Sequence, residues 1–231
     1  MELHVDPVTS SCRAVLAFCR AADLAPEVKT VTLAKGDNRA PSHAALNPNL
    51  LVPVLVDGDF VLTESSAILR YLARKSGSPL YPNDLREAAK VDELMAWFGA
   101  TFNKDFAYQY LYPQVLPQYR RASEDANRIT IEWGAAQTRR WLDVLDRHWL
   151  GAARSHLVGE RLTIADYLGA ALLSGGELVG CTYREWPNVR RWYAAMLADE
   201  ALATVNRPFL AMVESIRASG RTFVPLLTST A

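Results

Sequence analysis

The segment from Asn47 to Ala73, NPNLLVPVLVDGDFVLTESSAILRYLA, restricts the fold more than any other part of the chain. Val52-Pro53-Val54-Leu55-Val56 is a short apolar run with a proline near its start, and Asp57-Gly58 supplies a turn that tolerates positive φ. Phe60-Val61-Leu62 returns as a second strand, so the two runs read as an antiparallel hairpin. Glu64-Ser65-Ser66 then opens a helix whose apolar positions, from Ala67 to Leu72, recur at helical spacing. A proline beside a strand leaves neighbouring backbone free to pair outside the sheet. The unpaired amides of a helix start suit a carboxylate. Joined by a hairpin, the two describe a cradle for a short peptide with an acidic end. Each taken alone also fits an ordinary edge proline or an ordinary helix cap.

Upstream, Leu3-His4-Val5 reads as a first strand, and Thr9-Ser10-Ser11 leads into an apolar helix running to about Leu24. Val28 to Leu33 reads as a second strand, and Lys35 to Asn49 as a loop with one helical turn near His43, which reads as a surface loop residue. The order βαβαββα buries one sheet between helices. Gly77 to Asp84 is rich in helix breakers, and no convincing strand follows it. Helices are expected over Leu85–Tyr112, about Glu124–Trp149, from Thr163 to the Gly175-Gly176 pair, Pro187–Ala198 and Ala201–Ile216. Thr163 and Asp166 form a capping box, a structural role rather than a catalytic one. The predicted organisation is an α/β domain over residues 1–77, a linker over 78–86, an all-helical domain over 87–218 and a tail over 219–231, loose or laid on the surface.

The chain has 231 residues, and Lys+Arg equals Asp+Glu at 25 each, so no basic field argues for nucleic acid or an anionic membrane. The first residues lack a signal-length apolar core, and no apolar run reaches membrane-spanning length. Three cysteines without a CxxC pair argue against a disulfide framework or a structural zinc site and fit a reducing cytoplasm.

VPVLVDGDFVLTESSAILRYLAR, together with Ser-Cys-Arg-Ala-Val at residues 11–15, resembles the glutathione transferases, nearest their theta-like group. The resemblance spans nearly the whole chain, most strongly the first 80 residues. It implies a thioredoxin-like N-terminal domain, a helical-bundle C-terminal domain, and a homodimer in the cytoplasm. It also implies a cis Val52–Pro53 bond, with Val52 and Pro53 docking the cysteinyl part of glutathione. Glu64 and Ser65 would hold the γ-glutamyl end, and Asn38 and Arg39 the glycyl end. Glutathione would be the co-substrate, with no metal. A lysine is common in the family just before the Val-Pro, and this chain has Leu51 there, a departure that weakens binding unless Arg39 or Lys35 compensates.

The chemistry needs an ionised thiol. A thiol with a pKa of about 8.5 is only a few per cent thiolate at pH 7, and each unit of depression takes about 1.4 kcal/mol of selective stabilisation. A hydroxyl donor and a helix N-terminus both favour the anion. Thr9, Ser10 and Ser11 offer hydroxyls there. The family serine aligns with Thr9, a second departure, so the expected order is Thr9, then Ser10 or Ser11, with plain capping as the competing reading. Cys12 reads as packing rather than as a nucleophile. An acceptor pocket is expected along Trp97, Thr101, Asp105, Tyr108 and Tyr112, one stripe at 3.6-residue spacing, beside a core of phenylalanines.

The leading expectation is a glutathione transferase acting on a small electrophile. A glutathione-dependent dehalogenase, or a peroxide or disulfide reductase, uses the same site. A non-catalytic binding or scaffold protein is the different-class alternative, kept open by the Thr9 and Leu51 departures.

Overall fold

A computed structural model describes residues 1–227; the last residues of the expected tail lie outside that range. The N-terminal domain runs β1 (Glu2–Val5), α1 (Ser10–Ala21), β2 (Glu27–Thr30), two 3-10 turns, α2 (Pro41–Leu46), β3 (Val54–Asp57), β4 (Phe60–Thr63) and α3 (Ser65–Ser76). The strands lie in the order β2-β1-β3-β4, with β1 and β2 parallel and the other pairs antiparallel. Asp57 faces Phe60 across the hairpin turn, where Gly58 takes φ 66°. Leu3, Val5 and Leu55 meet Val15, Phe18, Ile68 and Leu72 in the core between sheet and helices.

β2 ends three residues earlier than the sequence suggests. Val31 still donates to Val5, but the next amides are taken by side chains: Leu33 N–H by Asp6 Oδ2 at 2.9 Å and Thr32 N–H by Asp37 Oδ2 at 2.9 Å. Those carboxylates turn the chain into its 3-10 segment instead of extending the ladder.

The second domain is all helical. α4 (Leu85–Ala96) passes without a break through a π-helical stretch (Trp97–Phe102), the turn α5 (Asn103–Asp105), a second π stretch (Phe106–Leu111) and α6 (Tyr112–Val115). The helix therefore continues past Pro113, which follows the wide turns of Phe106–Leu111. The wide turns explain a column of aromatic rings. Phe98, Phe102, Phe106 and Tyr110 are fully buried, with successive centroids 5.9, 5.0 and 6.4 Å apart. At 3.6 residues per turn a spacing of four drifts by about 40° per step, whereas a wider turn keeps the rings in line.

α7 (Glu124–Val144) extends into a third π stretch, Leu145–Leu150, and stops at Gly151, φ 58°. Gly134 of α7 lies so close to the preceding helix that a Cβ there would sit 2.6 Å from the Tyr110 backbone N. α8 (Ile164–Leu173), α9 (Pro187–Ala198) and α10 (Glu200–Ala218) complete the bundle, and a 3-10 segment, Ser174–Val179, follows α8 through the Gly175-Gly176 pair. The capping box of α8 forms: Asp166 accepts from Thr163 N–H at 2.9 Å, and also from Leu157 N–H at 3.0 Å and Trp192 Nε1–H at 2.9 Å. α1 packs between its own domain and α8 and α10. Leu80 between the domains accepts from Ile164 N–H at 2.9 Å. Among the described residues no helix is long and apolar enough to cross a membrane.

Candidate active site

Val52–Pro53 is cis, and Pro53 is buried just ahead of β3. Three side chains hold the loop before it. Asn38 Nδ2 donates to Leu50 O at 2.7 Å, Asn47 Nδ2 donates to Leu51 O at 2.9 Å, and a ring nitrogen of His43 lies 3.1 Å from the same oxygen. His43 is thus a buried brace, not the surface loop residue expected from sequence, because one helical turn of α2 aims it at the loop. The Asn38 amide is committed to the loop. Arg39 is exposed; its N–H donates to Gly36 O at 2.9 Å, and its side chain makes no hydrogen bond or ion pair among the described residues. Leu51 is also exposed.

Glu64 has a backbone of φ 66°, ψ 114°, rare for a residue with a Cβ and worth roughly 1–3 kcal/mol of strain. It precedes Ser65, the first residue of α3, and its side chain caps nothing. The first intrahelical bond is Ile68 N–H to Glu64 O at 2.9 Å, so the amides of Ser65, Ser66 and Ala67 have no helical acceptor. Amides of this kind suit an anion, and the Glu64 carboxylate beside them is exposed.

At the start of α1 the three hydroxyls differ. Thr9 donates to Asp6 O at 3.1 Å and Ser11 donates to Val52 O at 3.3 Å. Ser10 Oγ instead lies 3.5 Å from Arg13 Nη2 as an acceptor. Cys12 is fully buried, and burial pushes its thiol up to about 12, so it is no nucleophile near neutral pH.

The expected acceptor stripe divides. Tyr108 and Tyr112 pack with Tyr119 in one cluster, with centroids 5.1, 5.7 and 5.0 Å apart. Burial raises the Tyr108 phenol, which has Glu64 among its charged neighbours, and raises that of Tyr112, whose neighbours include Arg13. Tyr108 thus lies within range of the Glu64 charge and Tyr112 within range of the Arg13 charge. Trp97 belongs to another aromatic group, with Trp141 and Trp149 each 6.4 Å away. Asp105 is buried and accepts from Trp141 Nε1–H at 2.8 Å, Gln109 Nε2–H at 2.7 Å and Lys104 at 2.6 Å. Thr101, half-buried, lies on the same upstream part of the helix. An extra residue per wide turn rotates the downstream part of the helix by about 100°, which separates Tyr108 and Tyr112 from Trp97 and Asp105. Tyr119, on the turn after α6, completes that cluster, which helical spacing could not reveal.

A cleft of about 1110 Å³ opens elsewhere, at the C-terminal end of α1 between Leu24, Pro79 and Glu200. None of the residues above lines it. Among the described residues no group of three His, Cys, Asp or Glu side chains could hold a metal.

The model for the glutathione S-transferase N-terminal domain matches residues 4–74, and that for the C-terminal domain matches residues 112–200. Human glutathione S-transferase theta-1 is 33% identical over 195 residues, covering 83% of this chain and 80% of its own. Human theta-2 is 35% identical over 224 residues, covering 93% and 88%. A crystal structure of human theta-2 with glutathione and an unknown ligand superposes with TM-score 0.83 at 29% identity, covering 97% of this chain and 93% of that one. The theta-class enzyme of Xanthomonas axonopodis pv. citri with glutathione bound gives 0.77 at 28% identity, covering 88% and 95%. The chain belongs to the glutathione S-transferase family, in its theta-like group, and is an enzyme of that transferase class.

Proposed function

We propose that the protein binds glutathione along the Val52-Pro53 loop and the start of α3, ionises its thiol at the start of α1, and presents the thiolate to a small electrophile held against Tyr108 and Tyr112. In this reading Val52 pairs with the cysteinyl backbone. Glu64 and the free amides from Ser65 onward take the γ-glutamyl end, and Arg39 answers the glycyl carboxylate that Leu51 cannot. The thiolate sulfur forms a bond to the electrophilic carbon, and the leaving group departs with its electron pair or, in an addition, the acceptor takes up a proton. A disulfide reductase using Cys12 is disfavoured by the burial of that thiol.

The observation that best supports the reading is the meeting, around one loop, of an α3 N-terminus that follows Thr63 beside Val54 and an α1 start lined with hydroxyls. A homodimer fits the exposed apolar residues Phe60 and Val61 on edge strand β4, and a cytoplasmic location fits the three free cysteines. Sedimentation at working concentration tests the dimer.

Calorimetric titration with glutathione, followed by ultraviolet absorbance of the bound thiolate across pH, tests the chemistry. Binding with a thiolate band near neutral pH supports a transferase and leads to a panel of halides, epoxides and peroxides. Binding without the band turns the reading toward a carrier, and no binding at millimolar glutathione toward a scaffold.

A further inference from the structure

Arg13 is fully buried one turn into α1, and its guanidinium meets no carboxylate among the described residues. Nη1 donates to Ser174 Oγ at 2.8 Å and to Asn206 Oδ1, and the guanidinium carbon sits 3.9 Å above the Phe209 ring. Nε has no partner. A charge taken out of water among neutral groups is unfavourable unless an anion offsets it. The remaining contact of the guanidinium among the described residues is with Ser10 Oγ, at the start of α1.

The hydroxyls there narrow the choice. Thr9 and Ser11 already give their protons to backbone carbonyls, whereas Ser10 receives from Arg13, three residues on and on the same helical face, and keeps its own proton.

Resting on the function proposed above, we propose that Arg13 is a positioning residue for the glutathione thiolate. Its charge, and its bond to Ser10 Oγ, aim the Ser10 O–H at the sulfur and stabilise the anion once the thiol proton has left to water. Ser10 thereby ranks ahead of Thr9 and Ser11 as the thiolate's donor.

The groups facing Arg13 leave its charge uncompensated. Tyr112 of α6, Tyr193 of α9 and Cys12 of α1 are all pushed up by burial and stay neutral near pH 7. Glu177, beyond Tyr193, is paired with Arg217 at 2.8 Å. On the cleft side, Asp6 is held by the amides of Val8 and Leu33, and Glu64 lies near Tyr108. Burial lowers the guanidinium to about 10, so it remains charged where the thiol titrates.

The test is the pH midpoint of the bound-thiolate absorbance in wild type, Arg13→Gln, Arg13→Lys and Ser10→Ala. Removing a cation or a donor disfavours the anion, so Arg13→Gln and Ser10→Ala should each raise the midpoint by about one unit, roughly a tenfold loss of thiolate at limiting pH. Arg13→Lys should restore most of it, and glutathione affinity at acid pH should change by no more than a few-fold. A purely structural role would lower thermal stability in both Arg13 variants and leave the midpoint in place. Folded Arg13→Gln with a wild-type midpoint overturns the proposal, as does Ser10→Ala with a wild-type midpoint while Thr9→Ala shifts. Ser10 is partly exposed, so its variant decides even if Arg13→Gln does not fold. A wild-type protein without any thiolate band would instead overturn the underlying function.

Discussion

Ser11 donates its hydroxyl proton to the carbonyl of Val52 at 3.3 Å, across 41 residues of sequence, and so ties the start of α1 to the loop ahead of β3. Ser11→Ala should cut that tie without touching the thiolate. Glutathione affinity should fall about three- to tenfold, the ~1 kcal/mol of one neutral hydrogen bond. The midpoint of the bound-thiolate absorbance should not move. Calorimetry and a pH titration on one sample check both halves, and a shifted midpoint would make Ser11 the donor.

Tyr112 and Asp105 lie on one helix but should respond differently. Tyr112→Ala removes part of the tyrosine wall, so KM for a hydrophobic electrophile should rise about tenfold while glutathione affinity holds. Asp105→Ala strands the Trp141 indole N–H and should lower stability by about 2 kcal/mol with KM for the electrophile unchanged. Steady-state kinetics beside urea unfolding separate the two.

Gly134→Ala places a methyl 2.6 Å from the backbone of Gln109 and Tyr110, where neither atom can swing aside. A loss of about 1–3 kcal/mol is expected. Gly99→Ala meets nothing within 4 Å and should be neutral or slightly stabilising. Thermal unfolding of the pair checks the close helix approach, and equal midpoints would contradict it.

Cys12, Cys19 and Cys181 are buried, and burial raises each thiol from 9.0 to about 12. Above pH 9 the unfolded chain gives up these protons and the folded chain keeps them, so stability falls as pH climbs from about 9 toward 12. Each thiol contributes a slope of about 1.4 kcal/mol per pH unit in that window. A variant with all three cysteines replaced by alanine should show a shallower fall between pH 9 and 10.5 in urea unfolding, and equal slopes would contradict the burial.

The hairpin, the α8 capping box and the Pro187 helix start were legible because local chemistry decides each: Asp57-Gly58 makes its own turn, Thr163 and Asp166 satisfy each other, and proline tolerates a first turn. Glu64 and Ser65 could be placed at a helix start on the same grounds. The features that escaped depend on partners distant in sequence or on a change of helical pitch. No spacing rule shows that Thr9 and Ser11 give their protons to carbonyls and Ser10 does not. His43 looked like a surface residue until the fold put the Leu51 carbonyl beside it. The stripe from Trp97 to Tyr112 assumed 3.6 residues per turn, and the i→i+5 turns broke it between Asp105 and Tyr108. The Arg13 node joins α1 to Ser174 and Asn206 in the other domain, which no local pattern announces.

The wide turns between Trp97 and Leu111 give this helix a property that an ordinary one lacks. Each absorbs one additional residue while the two ends stay anchored, at Leu85 and at Val115. Sliding a wide turn along the segment would rotate every side chain between its old and new positions, and the buried rings Phe98, Phe102, Phe106 and Tyr110 lie in that same stretch. The helical phase that presents Tyr108 and Tyr112 is therefore locked to the aromatic column, and a change of ring size in the interior is transmitted through the backbone to the tyrosine cluster.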